Sequence, residues 1–163
     1  YGPKGTKERM KKFLEVFDLH KHKNINKIEV KELSEKELVN GKDWKLSCFN
    51  TQHALTGLKS IAYRIETKDK TLFYLGDAVY SENLIKGCKN ADLAILEATL
   101  PAERKSKEHM NGGQAGKIAF KSKVKKLIVS HVALNYLKDV KRDVKKEFKG
   151  KIIIAKDLMK VDI

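Results

Sequence analysis

Apolar and polar residues fall into two rhythms along this chain, one of helical spacing and one of strict alternation. Met10, Phe13, Leu14 and Phe17 recur at helical intervals, which predicts a helix over Thr6 to Leu19, entered through Gly2-Pro3-Lys4-Gly5 and capped by Thr6. Ile28 and Val30 then alternate with Lys27, Glu29 and Lys31, the pattern of a strand. Glu32 to Leu38 reads as a short turn of helix before Asn40-Gly41, a turn dipeptide. Trp44, Leu46, Cys48 and Asn50 share one side of the next strand, and Lys59 to Glu66 with Thr71 to Leu75 predicts a hairpin around Lys68-Asp69-Lys70.

The rhythm then changes. Ala91 to Glu97 reads as a short buried strand after a turn at Asn90, Gly113 to Lys121 as a helix and Lys125 to His131 as a second buried strand. Leu137, Val140, Val144 and Phe148 line one face of a further helix, and Lys151 to Ala155 and Leu158 to Ile163 read as closing strands. A meander followed by alternating strands and helices predicts a layered α/β or α+β domain with a mixed sheet. Its 163 residues suffice for one domain and not for two.

Composition narrows this. Apolar residues at 41% supply a core, and with 34% charged residues they exclude collagen-like, mucin-like and wholly disordered classes. The longest run without Lys, Arg, Asp or Glu, Leu46 to Leu58, is too short to cross a bilayer. No signal-peptide pattern opens the chain, and Tyr1-Gly2-Pro3 sets the expectation that it begins inside a larger protein. Cys48 and Cys88 are too few for a disulfide framework, so a reduced, cytoplasmic protein is expected. Thirty-five basic residues against 21 acidic ones give +14. A field of that sign attracts polyanions such as RNA, and lysine-coated helix faces give the same number. Both readings stand on composition alone.

Four candidate groups sit at element ends. His53 follows the strand begun at Trp44, His131 follows Leu127-Ile128-Val129, Asp77 follows Phe73-Tyr74-Leu75-Gly76, and His109 precedes a helix. Strand tips are where α/β layers hold their sites, and imidazole with carboxylate suits zinc or a similar ion. His20 and His22 lie among lysines with no carboxylate close behind, and read as surface residues.

Four segments then carry a family resemblance in order: Tyr74-Leu75-Gly76-Asp77-Ala78, Asp92 through Leu96-Glu97-Ala98-Thr99, Glu108-His109-Met110-Asn111-Gly112-Gly113-Gln114, and Leu127-Ile128-Val129-Ser130-His131. They resemble the carboxyl-terminal half of the metallo-β-lactamase superfamily, in the metal-dependent hydrolase branch that includes ribonuclease Z. Gly2-Pro3-Lys4-Gly5-Thr6 is similar to the Gly-Pro segment that opens the second half of those proteins. The resemblance implies an αββα layered fold of which this chain is one half. It implies metal ligands at His53, Asp77 and His131, with Asp77 bridging two divalent ions, Zn²⁺ first and Mn²⁺ second. It also implies catalytic roles for Asp77, for His109 as proton donor, and for Glu97 as the carboxylate supporting His109.

The activity so implied is phosphodiester hydrolysis, with RNA (the 3′ ends of pre-tRNA) as leading substrate and no membrane partner. The family's His-x-His-x-Asp-His motif is matched by no segment here, since His20-Lys21-His22 lacks the Asp-His that should follow. Two protein ligands per ion fall short of the three that catalytic zinc keeps, so the chain alone is expected to bind metal weakly and turn over little. The resemblance therefore implies a partner: the missing amino-terminal half, a second chain or a homodimer mate, covering an apolar sheet face. Two alternatives remain, a generic phosphodiesterase of this fold and a non-catalytic half-fold that binds RNA or a partner. The hairpin between His53 and Asp77 also leaves no room for a long protruding tRNA-binding arm.

Overall fold

A computed structural model describes residues 1–22, 28–35, 37–53 and 60–163. Within these, seven strands form one sheet in chain order: β1 (Leu38–Asn40), β2 (Trp44–Thr51), β3 (Ser60–Thr67), β4 (Thr71–Tyr74), β5 (Leu93–Glu97), β6 (Lys126–Ser130) and β7 (Lys151–Ile154). Strands β1 to β4 are an antiparallel meander, and β4 to β7 run parallel. Each parallel step needs a crossover, and a helix supplies it: α2 (Glu82–Cys88), α3 (Gly112–Lys121) and α4 (Leu137–Glu147). Crossovers of one hand, taken in one direction along the sheet, set all three helices on the same face. The mixed α/β layer expected from the sequence is present.

The main core lies between that face and the helices. Ala62, Phe73, Ala94, Leu96, Leu127 and Val129 point from the sheet, and Leu84, Ile118, Val140 and Val144 meet them. Helices α3 and α4 approach closely because α3 carries glycine where it faces α4. A Cβ on Gly112 would stand 2.8 Å from the Val140 carbonyl oxygen, and one on Gly116 the same distance from that of Val144. The other face is different. Leu46 and Cys48 are buried there beside half-buried Ile61, Tyr63 and Ile65, while Tyr74 is 45% exposed.

Several expected elements differ. α1 (Thr6–Val16) stops before Leu19, and Thr6 is not its cap. Gly5 holds that position at φ 95°, and the Thr6 hydroxyl donates back to the Pro3 carbonyl oxygen at 2.6 Å. The helix start is capped from elsewhere: the Glu32 carboxylate accepts from the N–H groups of Gly5 and Lys7, both at 2.9 Å. Ile28 to Lys31 forms no strand among the described residues, and the one bridge beside it joins Gly2 to Glu32. Around Ser34 and Glu37 a tight turn replaces the expected helix, with the Ser34 N–H donating to the Glu37 carboxylate at 2.6 Å. Leu158 to Ile163 pairs with no strand, although it follows the edge strand β7. Lys27, Lys36 and Lys59, which belong to three of the expected elements, lie outside the described residues. Among the described residues no helix is long and apolar enough to cross a membrane.

Candidate metal centre

Parallel neighbours deliver their carboxyl ends to one edge of a sheet, and the loops that leave them share a rim. Here that rim collects Asp77, three residues past β4, Glu97, the last residue of β5, and His131, the first past β6. β2 is antiparallel to β3, which is antiparallel to β4, so β2 also ends on this edge, and His53 lies two residues beyond it. The Val79 N–H donates to the Gln52 carbonyl oxygen at 2.8 Å, tying the Asp77 and His53 segments together. His109 arrives on the β5–α3 loop. That loop is closed by Thr99 N–H to Met110 oxygen (3.1 Å) and Gly112 N–H to Leu100 oxygen (2.9 Å). Asn111 and Gln114 then form a reciprocal capping box at the start of α3, which fixes the chain beside His109.

Glu97 is 1% exposed, and a buried carboxylate is costly unless its oxygens are satisfied. They are. One oxygen accepts from the Ala78 N–H at 2.9 Å and from His109 Nδ1 at 3.1 Å. The other accepts from the Thr99 hydroxyl at 3.0 Å and from its N–H at 3.3 Å. A carboxylate accepting at this point assigns the proton to His109 Nδ1 and leaves Nε2 with a free lone pair. His53 is arranged the same way, with Nδ1 against the Glu108 carbonyl oxygen at 3.1 Å. Backbone and carboxylate partners on the outer nitrogen of an imidazole orient it as a metal-ligating histidine is oriented.

The rings stand close. His109 lies 5.3 Å from His53 and 5.0 Å from His131, centroid to centroid. His131 Nε2 is 3.5 Å from Asp77 Oδ2, and donor atoms of Asp77, His109 and His131 all fall within 4.8 Å of one another. His131 holds φ at 55°, a left-handed backbone that a non-glycine residue adopts at a cost, and strain of this kind collects at functional sites. Two ligands of one zinc stand at most about 4.2 Å apart, since each bond is about 2.1 Å. The Asp77–His131 pair fits that span, and the imidazole and carboxylate donors suit a divalent cation. His53 contacts the ring of His109 but is not one of the three grouped donors. His22 is exposed and takes no part. The sequence reading did not anticipate Thr99, the Ala78 N–H or the Glu108 carbonyl as supports. Only Thr99, two residues past Glu97, carried any signal for it.

A family profile described as Beta-lactamase superfamily domain matches residues 1–132. Ribonuclease Z of Methanosarcina acetivorans is 30% identical over 101 residues, which are 58% of this chain and 33% of that protein. Ribonuclease Z of Methanosarcina mazei is 24% identical over an alignment that takes in 100% of this chain and 70% of the relative. Among solved structures, the metallo-β-lactamase fold protein YhfI of Bacillus subtilis superposes with a TM-score of 0.73 at 24% identity. That superposition covers 88% of this chain and 58% of YhfI. The chain thus spans one third of the first relative and little more than half of the superposed structure.

Proposed function

The chain belongs to the β-lactamase superfamily of metal-dependent hydrolases, and on that premise we propose that its rim is part of a phosphodiester-cleaving centre. The leading substrate is RNA, the 3′ end of a pre-tRNA, in a cytoplasmic setting that the free, buried thiols of Cys48 and Cys88 suit. The observation that carries the reading is the convergence of Asp77, His109 and His131 on one edge, with Glu97 buried behind His109. The relatives named ribonuclease Z support the choice of RNA, and so does the +14 charge.

In this reading Asp77 and His131 would hold one divalent ion, and His53 with Asp77 a second, Zn²⁺ before Mn²⁺. Such ions, when bound, stabilise charge on phosphoryl oxygens and acidify water. His109 keeps its Nδ1 proton against Glu97 and presents Nε2 to the rim. When protonated there, it donates to the leaving oxygen. Glu97 is a positioning residue, because it fixes the tautomer and angle of that ring.

The ligand set is short, and the open sheet face leaves Tyr74 and its half-buried neighbours available. A complementary amino-terminal half, or a second chain, completes both in this proposal. The test combines the chain with that half and Zn²⁺ or Mn²⁺, and follows cleavage of a pre-tRNA and of bis(p-nitrophenyl) phosphate. Cleavage of both is expected. Hydrolysis of the small diester alone would give the generic phosphodiesterase, and no hydrolysis with intact metal uptake would give the non-catalytic alternative. His109→Ala is expected to retain Zn²⁺ and lose about 10²–10⁴-fold in rate. If it loses the metal instead, His109 belongs with the ligands.

A further inference from the structure

Beside His131 the surface opens into a groove of about 710 Å³, within the usual range for a ligand cleft of about 300–1,000 Å³. Apolar side chains make up half of its lining residues. Leu134 stands 85% exposed and Leu137 38% exposed, and Ile154 of β7 closes the far side. Leu137 was expected to extend the core stripe of Val140, Val144 and Phe148, yet in the fold it turns to this groove while those three are buried. Lys138 and Lys141 rise from α4 on one side, one helical turn apart, and Lys156 rises from beyond β7. None of the three ammonium groups has an ion-pair or hydrogen-bond partner among the described residues, although the side chains of Arg142 and Lys146 on the same helix are both paired. The groove holds one acid, Asp157.

An apolar floor rimmed by unpaired cations, and ending at a candidate ligand of the reaction centre, is complementary to a strand that alternates flat bases with phosphates. We infer that this groove seats the single-stranded RNA adjoining the scissile phosphate, a proposal that rests on the phosphodiester reading above. Bases pack on Leu134 and Leu137, and Lys138, Lys141 and Lys156 meet successive phosphates. His131 at the inner end then places the next phosphate at the rim.

The test is binding of a fluorescein-labelled single-stranded RNA to the metal-free chain, followed by anisotropy from low to high salt. The exposed triple variant Lys138→Gln/Lys141→Gln/Lys156→Gln is expected to weaken binding at least tenfold at low salt. It should also reduce the slope of log K against log salt by about 2, at roughly 0.7 per phosphate contact. A control triple at the opposite end of the sheet, Lys42→Gln/Lys45→Gln/Lys68→Gln, removes the same charge and is expected to leave the slope close to that of the parent chain. Leu134→Ser/Leu137→Ser should weaken binding several-fold without moving the slope. Equal losses from both lysine triples, or no binding by the parent chain, would overturn the assignment. So would a groove that proves to be a self-association surface, with dimer mass lost in Leu134→Glu and RNA affinity unmoved. Failure of the phosphodiester reading shows differently, as absent hydrolysis in the two-substrate assay while the salt-slope result stands.

Discussion

The two ends of the sheet are built from the same strands and use their polar side chains in opposite ways. At the far end, Asp92 accepts from the Lys125 ammonium and from the Thr71 N–H, each at 2.8 Å, and the Gly41 and Thr67 turns close on their own backbone. Every one of these groups is matched locally. At the rim, Asp77 is 40% exposed, and among the described residues its only partner is His131 at 3.5 Å. The rings of His53 and His131 both stand beside that of His109, 5.3 and 5.0 Å away from centroid to centroid. Carboxylates matched to nearby donors hold a turn together, whereas groups left loose toward a shared space are set for a ligand. Asp92 and Asp77 are such a pair, the first with its side chain 16% exposed and matched, the second 40% exposed and loosely held.

The sharpest way to break the comparison is to neutralise each aspartate in turn. If Asp77 is the ligand proposed, Asp77→Asn removes its charge, and the effect on Zn²⁺ affinity should exceed the roughly 10–100-fold typical of outer-shell partners. Asp92→Asn should leave Zn²⁺ affinity unchanged. Competition titration with a chromogenic chelator reads both. Equal losses would erase the distinction between the two ends.

Glu97→Gln ranks next. The amide keeps the shape, but turns an NH₂ toward groups that all donate to the carboxylate in the parent chain, Ala78 N–H, Thr99 N–H and hydroxyl, and His109 Nδ1–H, so the hydroxyl or the imidazole must reorient to accept from it. A loss of about 1–3 kcal/mol in urea unfolding is expected. In the phosphodiesterase proposed, activity should fall about 10–100-fold, with a shifted pH profile because the tautomer of His109 is no longer held. A purely structural Glu97 would lower stability and leave that profile in place.

How much of this was legible in the sequence depends on how local each cause is. His53, Asp77, Glu97 and His131 sit at strand ends because alternation and apolar runs mark where strands stop, and that signal is in the residues themselves. α2 escaped notice because Glu82–Cys88 is barely two turns long and contains Gly87, whose missing side chain lets Phe73 and Phe49 pack against the helix. Thr6 looked like a cap because caps are usually local, yet Glu32 supplies the acceptor from 25 and 27 residues away. Ile28 to Lys31 has strand alternation, but a strand needs a ladder partner, and only the fold decides that one is absent. The Glu108 carbonyl against His53 left no trace at all, since any residue carries a carbonyl.

Acid should separate the two ends by stability. The carboxyl of Asp92 is held below the ordinary 3.8, first by the hydrogen bond from Lys125 and then by the Thr71 N–H. A carboxylate with a depressed folded value contributes stability above its unfolded value, and that contribution fades as pH falls through the folded one. Asp143 shifts in the same direction, since the burial that pushes its carboxyl up is outweighed by the Ala102 N–H, Arg142 and Lys146 together, so it too contributes stability that acid removes. The difference between parent and Asp92→Asn isolates the far end. It should be about 1 kcal/mol at pH 7 in urea unfolding and shrink toward zero as pH falls through the depressed folded value of Asp92.

The smallest expected effect asks how much of that far-end matching is ionic. Lys125 is 74% exposed and its ammonium meets an Asp92 side chain only 16% exposed. Lys125→Met keeps the aliphatic stem and leaves the Thr71 N–H on the other oxygen, so Asp92 is never stranded. An ion pair with one partner in solvent contributes about 0.2–1 kcal/mol, and salt screens it. Urea unfolding of Lys125→Met at low ionic strength should therefore show a loss within that range, and at about 1 M NaCl the loss should disappear. The part of the pH dependence that Asp92 still supplies in this variant comes from the Thr71 hydrogen bond and the nearby Lys70 charge. A loss above about 1 kcal/mol that survives high salt would mean that Asp92 depends on its cation as a buried pair does. The far end would then resemble the region around Asp143, where a carboxylate 1% exposed takes Arg142, Lys146 and a backbone N–H together.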